Sequence, residues 1–324
     1  MRQIKIDINE HDQRIDRFLK KYFSNGTKSF IYKMLRKKRI KLNGNRANPE
    51  DVIVEGDTIE MYLSDETIEK FRSSEKTIKK SNNLDVIYED ENIVLINKPK
   101  NMLSHSSDSS EKEHNIVDEF VSYLYEHGEY DPKTEKTFVP SICNRLDRNT
   151  SGIIIGAKNY NTLKEINNGL KNRTISKYYE CIVKGSIASD QRLEGFLVKN
   201  KNNNKVSISK QETEDSKEIK TDIKVIKSTD SYSLLEINLI TGRTHQIRAH
   251  LLSIGHPIIG DLKYGDLKVN KFFKEKYKLD NQYLHACKII FEGLDSGLEY
   301  LNERQFVSNV DEDMAIIKRD LFTQ

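Results

Sequence analysis

The chain is expected to fold as an α+β protein. A mixed, largely antiparallel sheet with helices packed on it should follow a small N-terminal α+β module. Three observations carry this expectation. Apolar runs of strand length in the larger part succeed one another mainly without helical patterns between them, which favours hairpin-connected pairing over parallel crossovers. Residues 12–46 instead show apolar residues at helical spacing and a heavy excess of lysine and arginine. A polar, serine- and asparagine-bearing stretch separates the two regions, and 324 residues exceed the usual size of one domain.

The elements follow in order. Ile15, Phe18, Leu19 and Tyr22 recur at helical spacing, as do Ile31, Met34 and Leu35 after Gly26; two short amphipathic helices with basic outer faces are expected. Ile40-Lys41-Leu42 meets Asn43-Gly44, the dipeptide best suited to the positive φ values of a tight hairpin turn. Short strands are expected at Val52–Val54 and Thr58–Leu63, closing a module over residues 1–63, and the polar segment 64–83 reads as a linker. The larger domain, residues 84–300, opens with strands at Leu84–Tyr88 and Asn92–Asn97, then Lys98-Pro99 and an exposed loop over Asn101–Glu113. Lys-Pro at a strand end marks a turn, so Lys98 is given a structural role. Leu163, Ile166 and Leu170 define a helix face, and strands are expected at Ser176–Lys184, Ile219–Lys227, Leu234–Leu239 and Leu284–Phe291. Lys199–Lys205 reads as a hairpin tip. His245–Ile254 reads as a helix opened by Gly242-Arg243-Thr244, with Thr244 as its N-cap. Residues 301–324 are expected to be helical.

Composition narrows the class of partner. Hydrophobic residues make up 36% and charged residues 32% of the chain, at a formal net charge of only +3. That balance hides a concentration: between Asp12 and Arg46, twelve Lys/Arg face only Asp12 and Asp16. Such a block asks for a polyanion, nucleic acid ahead of an anionic membrane. Arg14, Arg17, Lys28, Lys33, Arg36, Lys37 and Arg39 are the candidate nucleic-acid contacts of this module. Cys143, Cys181 and Cys287 are scattered, which argues against a disulfide framework and a zinc site and suits a reducing cytosol. The N-terminal stretch lacks a signal-peptide h-region, and no apolar run approaches the ~18 residues of a membrane span. A cytoplasmic protein is expected, and nothing in the pattern demands more than a monomer.

The run Asn144-Arg145-Leu146-Asp147-Arg148-Asn149-Thr150-Ser151-Gly152 sets one carboxylate between two arginines, directly before Ile153-Ile154-Ile155. A strand that apolar belongs in a core, so the turn at its mouth should be rigid and Asp147 a fixed anion among cations. A second constellation, Gly242-Arg243-Thr244-His245-Gln246-Ile247-Arg248-Ala249-His250-Leu251, opens a helix with four polar side chain types in one segment. His245 and His250 lie five apart and do not share a helical face, so metal binding is not expected.

Asn144–Lys158 resembles the signature of the RluA superfamily of pseudouridine synthases, H-R-L-D-R-D-T-S-G followed by an aliphatic strand and A-K. The second constellation resembles that family's G-R-T-H-Q-I-R-x-H-L. Asn97-Lys98-Pro99, Lys177-Tyr178-Tyr179, Pro257-Ile258-Ile259-Gly260-Asp261 with Tyr264-Gly265, and Leu284-His285-Ala286 match in the expected order. The N-terminal module is similar to the small S4-type ("S-four") RNA-binding domain often attached to these enzymes. Asn144 and Asn149 depart from the signature, where a histidine and an aspartate are usual. Local hydrogen bonding and subfamily are therefore open.

The resemblance implies a catalytic domain of the pseudouridine synthase type that isomerises uridine in RNA, ribosomal RNA of the large subunit first and transfer RNA second. A non-catalytic RNA-binding assembly factor on the same fold is the alternative from another class. No cofactor is implied, because the reaction involves neither redox change nor net hydrolysis. Asp147 is implied as the nucleophile, acting at the sugar as a glycosidase carboxylate does. Arg248 is implied as its ionic partner. Tyr179 is implied to lie against the target base, with Tyr178 as the competing neighbour. Arg145 is implied to fill the space left by a flipped-out uridine, or to contact a phosphate. Arg148 and Arg243 are expected to meet phosphates or structural partners.

Overall fold

The computed structural model describes residues 1–72, 78, 81, 84–106, 114–199 and 205–323. The chain forms two compact units. One comprises Met1–Leu84 with Val117–Ser141 and Ala157–Lys164, and the other comprises Asp85–Ile116, Ile142–Gly156 and Glu165–Gln324.

The N-terminal segment contains β1 (Arg2–Lys5), β2 (Gln13–Arg14), α1 (Ile15–Tyr22), α2 (Lys28–Arg36), β3 (Ile40–Leu42), β4 (Asn45–Arg46), β5 (Val52–Ile53), β6 (Thr58–Met61) and α3 (Asp65–Phe71). Ile15, Phe18, Leu19 and Tyr22 of α1 and Ile31 and Leu35 of α2 are buried together with Ile40, Ile59 and Met61. Thr27 caps α2 by accepting from the Phe30 amide at 3.1 Å. A four-stranded sheet of order β1-β6-β3-β4 lies in this unit. The β3–β4 turn has φ +49° at Asn43 and +75° at Gly44, the pair of positive values that a two-residue hairpin needs.

The segment 64–83 is not purely connective. Ser64 accepts from the Thr67 amide and opens α3, Ile68 is buried, and Phe71 stacks on Phe30 with centroids 4.0 Å apart. Its apolar signal is these two side chains, too few to show a period. The remainder of that segment lies mainly outside the described residues.

The remaining elements are β7 (Val86–Glu89), β8 (Ile93–Lys98), α4 (Ile116–Glu126), β9 (Ser141–Ile142), β10 (Ser151–Ala157), α5 (Tyr160–Asn172), β11 (Ile175–Lys184), β12 (Gln191–Lys199), β13 (Val206–Ser209), β14 (Lys217–Ser228), β15 (Tyr232–Leu239), α6 (Gln246–Ser253), α7 (Leu267–Tyr277), β16 (Leu284–Phe291), β17 (Gln305–Val307) and α8 (Glu312–Phe322). The large sheet has the order β13-β12-β14-β15-β11-β16-β10-β8-β7, with β17 beside β16 and β9 beside β10. Antiparallel pairing joins β12 to β13 and β14, β15 to β14 and β11, and β16 to β11 and β17. The pair β10–β16 is parallel, so the sheet is mixed, as expected from the sequence. Every residue of β10 is buried, which is how a central strand flanked on both faces reads. Ile93, Leu95, Ile153, Ile155, Ile166, Ile175, Ile289 and Phe291 form one apolar cluster under it. Parts of two expected features, the loop Asn101–Glu113 and the hairpin tip Lys199–Lys205, lie outside the described residues. Among its described residues the C-terminal stretch forms one α-helix, α8, and β17 precedes it. Among the described residues no helix is long and apolar enough to cross a membrane.

Candidate active site

Residues 144–150 form the loop that enters β10, and backbone and side chains hold it on several sides. Asn144 is buried; its Nδ2 donates to the Ile153 carbonyl at 3.2 Å, and its Oδ1 accepts from the Ile155 amide at 2.8 Å. The asparagine at this position thus staples the start of the loop to the strand it feeds. Ser104 Oγ donates to the Leu146 carbonyl at 2.7 Å and lies 3.0 Å from the Leu146 amide. Lys98 is fully buried, and its Nζ donates to the carbonyls of Pro99, Met102 and Arg148 at 2.8, 2.9 and 3.0 Å. Burial pushes the Lys98 pKa down and the negative charge of Asp147 opposes that push. With its three donors saturated, this lysine ties the end of β8 to the aspartate loop. The Thr150 amide donates to the Asp147 carbonyl at 3.0 Å and closes the turn.

The loop leaves through Ser151 and Gly152, which pair with His285 and Ala286 of β16. Gly152 has φ +108°, and a Cβ there would meet the Ala286 carbonyl oxygen at 2.3 Å. Only glycine allows so close an approach of two backbones. Ser151 Oγ lies 2.8 Å from His285 Nδ1, and His285 Nε2 lies 3.1 Å from the Ser308 carbonyl. That carbonyl needs a donor, which fixes the Nε2–H tautomer and makes Ser151 the donor to Nδ1.

Asp147 and Arg248, 101 residues apart in sequence, meet in the same unit: Arg248 Nη1 donates to Asp147 Oδ2 at 3.0 Å. Arg248 is itself fixed from behind. Its Nε and Nη2 donate to Asp261 Oδ2 and Oδ1 at 2.7 and 2.8 Å, a bidentate pair. Asp261 is 1% exposed and also accepts from the Lys263 and Tyr264 amides at 2.8 and 2.9 Å. These bonds and Arg248 hold the Asp261 pKa low against its burial, while Asp261 and Asp147 raise that of Arg248 against its own. The ring of Tyr264 lies 5.0 Å from the Arg248 guanidinium carbon. The Asp147 side chain keeps 25% exposure, so the carboxylate is anchored at one oxygen and open to a ligand.

Thr244 does not cap α6. The helix begins after His245, whose backbone is left-handed at φ +55°, and no side chain caps it by hydrogen bond. Gln246 performs the local task instead: its Oε1 accepts from the Arg243 amide at 3.1 Å and from Thr241 Oγ1 at 2.9 Å. Its Nε2 donates to the Lys220 carbonyl and Thr221 Oγ1, both at 3.0 Å, tying α6 to β14. His250 is buried against Thr221, with Nδ1 and Oγ1 3.0 Å apart. His245 lies against Tyr264 instead, with Nδ1 and Oη 3.0 Å apart. His245, His250 and His285 therefore have three different partners. Among the described residues no cluster of His, Cys, Asp or Glu has the make-up of a metal site.

Alternation along β11 separates the two neighbouring tyrosines. Tyr178 lies under Lys288 Nζ at 4.1 Å from its ring centroid. Tyr179 is buried, and its phenol pKa is raised by burial first and by the charge of Asp147 second. The charge of Asp147 thus reaches the Tyr179 phenol. Arg145 is exposed between buried Asn144 and Leu146, whereas Arg148 Nε reaches the Asn101 carbonyl at 3.4 Å. In the N-terminal unit, Arg17, Lys28, Lys33, Arg36, Lys37 and Arg39 are exposed on α1, α2 and the turn after it. Arg14 differs: it forks onto Asp16 through Nε and Nη2 at 3.1 and 2.9 Å, so its charge is internally paired. Asp261, Tyr264 and His245 stand in the sequence motifs, yet spacing alone assigns them no partner.

Comparison with known proteins identifies the family. Residues 92–253 match the family model for RNA pseudouridylate synthase, and residues 13–59 match that for the S4 domain. A protein of Mycoplasma capricolum, named an uncharacterized RNA pseudouridine synthase, is 33% identical over 319 residues, covering 96% of this chain and 98% of its own. The ribosomal large subunit pseudouridine synthase C of Buchnera aphidicola is 32% identical over 296 residues, covering 89% of this chain and 88% of its own. The solved structure of human RNA pseudouridylate synthase domain containing 4 superposes with a TM-score of 0.56 at 24% identity, covering 73% of this chain and 92% of that one, and supports the fold. The chain belongs to the RNA pseudouridylate synthase family, as an RluA superfamily member carrying an N-terminal S4 domain. Its activity is the formation of pseudouridine in RNA.

Proposed function

We propose that the enzyme isomerises uridines of large-subunit ribosomal RNA in the cytoplasm, with Asp147 as nucleophile toward the sugar of a flipped-out target. The observation that carries this reading is the Asp147–Arg248 pair. One carboxylate oxygen is held at 3.0 Å by a buried guanidinium, on a loop pinned by Asn144, Ser104 and Lys98. An ionised, oriented and partly accessible carboxylate is what attack on an anomeric carbon requires. Attack joins the carboxylate to that carbon as the bond from uracil nitrogen breaks. The base turns within the site, and ring carbon five then bonds to the same carbon and displaces the carboxylate, the proton lost at carbon five being matched by one gained at the freed nitrogen. The base never leaves, so no second carboxylate is needed to activate water, unlike in a glycosidase.

The other roles follow from placement. Tyr179 lies against the base in the wall beside Asp147. Arg145, projecting outward from the loop, occupies the gap left in the RNA when the uridine turns out, since its reacting atoms are unreachable in a stack. Arg17, Lys28, Lys33, Arg36, Lys37 and Arg39 supply phosphate contacts from the S4 domain. Arg14 contributes less, because Asp16 already neutralises it. The large-subunit target rests on the name of the Buchnera aphidicola relative. Pseudouridine mapping in total RNA from cells with and without the gene tests it. Sites lost from large-subunit ribosomal RNA are expected; loss confined to transfer RNA would replace the proposed substrate.

A further inference from the structure

His245 stands out among the residues around Asp147. Its backbone is left-handed at φ +55°, a conformation that non-glycine residues hold at an energetic cost and that concentrates at functional sites. Its carbonyl accepts from the Ala249 amide at 3.0 Å, which commits the strained residue to the first turn of α6. Its ring is fixed by Tyr264, whose hydroxyl lies 3.0 Å from Nδ1. That same hydroxyl accepts from the Val206 amide at 2.9 Å. A phenol has one proton; with the backbone amide already donating to its oxygen, the proton is directed at Nδ1. Burial lowers the His245 pKa, and the charge of Asp147 opposes that shift, so the ring is neutral near pH 7. A neutral ring that accepts at Nδ1 carries its proton on Nε2.

Among the described residues that proton meets no acceptor at hydrogen-bond distance. Nε2 lies 3.9 Å from Asp147 Oδ2, beyond hydrogen-bond reach, and Arg248 already donates to this oxygen at 3.0 Å. The His245 and Asp147 side chains retain 15% and 25% exposure, so both are reachable from solvent. We propose that His245 is a further substrate-contacting residue, donating Nε2–H to an oxygen of the target uridine beside Asp147, and that Tyr264 is the positioning residue that sets its tautomer. The inference rests on the reading of Asp147 as the reacting carboxylate. Two oxygens fit the chemistry, the ribose 2′-hydroxyl and a uracil carbonyl.

The test begins with the wild-type full-length enzyme and needs no variant: the ¹⁵N shifts of the His245 imidazole should report the Nε2–H tautomer. An Nδ1–H tautomer would overturn the inference. His245→Asn keeps a residue that tolerates the left-handed backbone, and Tyr264→Phe keeps the ring over Arg248 while removing the proton. Each should slow single-turnover pseudouridine formation by about tenfold or more, with little change in RNA affinity. The double variant should be no slower than the worse single one, because both changes act through one hydrogen bond. If His245→Asn spares a 2′-deoxyuridine target, the partner is the 2′-hydroxyl; an equal loss on both targets assigns the uracil carbonyl. A wild-type rate for His245→Asn, alongside an inactive Asp147→Asn, would sink this inference and leave the nucleophile standing. Activity in Asp147→Asn would remove both.

Discussion

At the scale of single residues, the site is held by groups whose replacement has specific consequences. Gly152 combines φ +108° with a backbone neighbour 2.3 Å from where a Cβ would stand. Gly152→Ala should therefore destabilise the protein by about 3 kcal/mol or more, read as a shift in the urea midpoint. Asn144 satisfies a buried amide and a buried carbonyl at once; Asn144→Ala should lower stability by about 2–3 kcal/mol in the same assay. Asp147 and its arginine neighbours are legible in the sequence as one contiguous motif. The pairing with Arg248 is legible only through family resemblance, because 101 intervening residues leave no local pattern that encodes it. Asp261 sits in a motif that gives it no role, since a bidentate partner thirteen positions away is a tertiary fact.

At the scale of elements, hydrophobic periodicity identifies α1, α2, α5 and most strands, because each buries a clear apolar stripe or run. It does not reveal α3, whose packing rests on Ile68 and Phe71, or α7, whose basic, mixed face hides buried Asn270 and Phe273. The start of α6 also departs from expectation. Capping preference favours Thr244, whereas the helix opens from a left-handed histidine and Gln246 bonds the preceding turn. The S4 helices carry their own prediction. Replacing exposed Lys33, Arg36 and Lys37 by Gln should reduce the slope of log affinity against log salt by about two, with saturating single-turnover rates retained. An unchanged slope would remove α2 from the RNA contact surface.

At the scale of the whole molecule, a formal net charge of +3 says little; the basic residues concentrate in the segment that matches the S4 domain, apart from the Asp147 loop. Acid sensitivity is also a property of the whole fold. Burial depresses the His250 pKa from 6.5 to about 4, so the unfolded chain binds its proton more readily than the folded one. The stability this residue contributes is present above pH 6.5 and lost as pH falls toward 4, by up to about 3 kcal/mol. Urea titrations from pH 7 to pH 4 should show that decline, and His250→Gln should flatten it. The role of Asp147 is read most directly from single-turnover conversion of a ribosomal RNA fragment carrying a mapped target uridine. Asp147→Asn preserves the shape of the side chain and should bind that RNA with near wild-type affinity while forming no pseudouridine. Conversion at the wild-type rate would exclude Asp147 as the nucleophile.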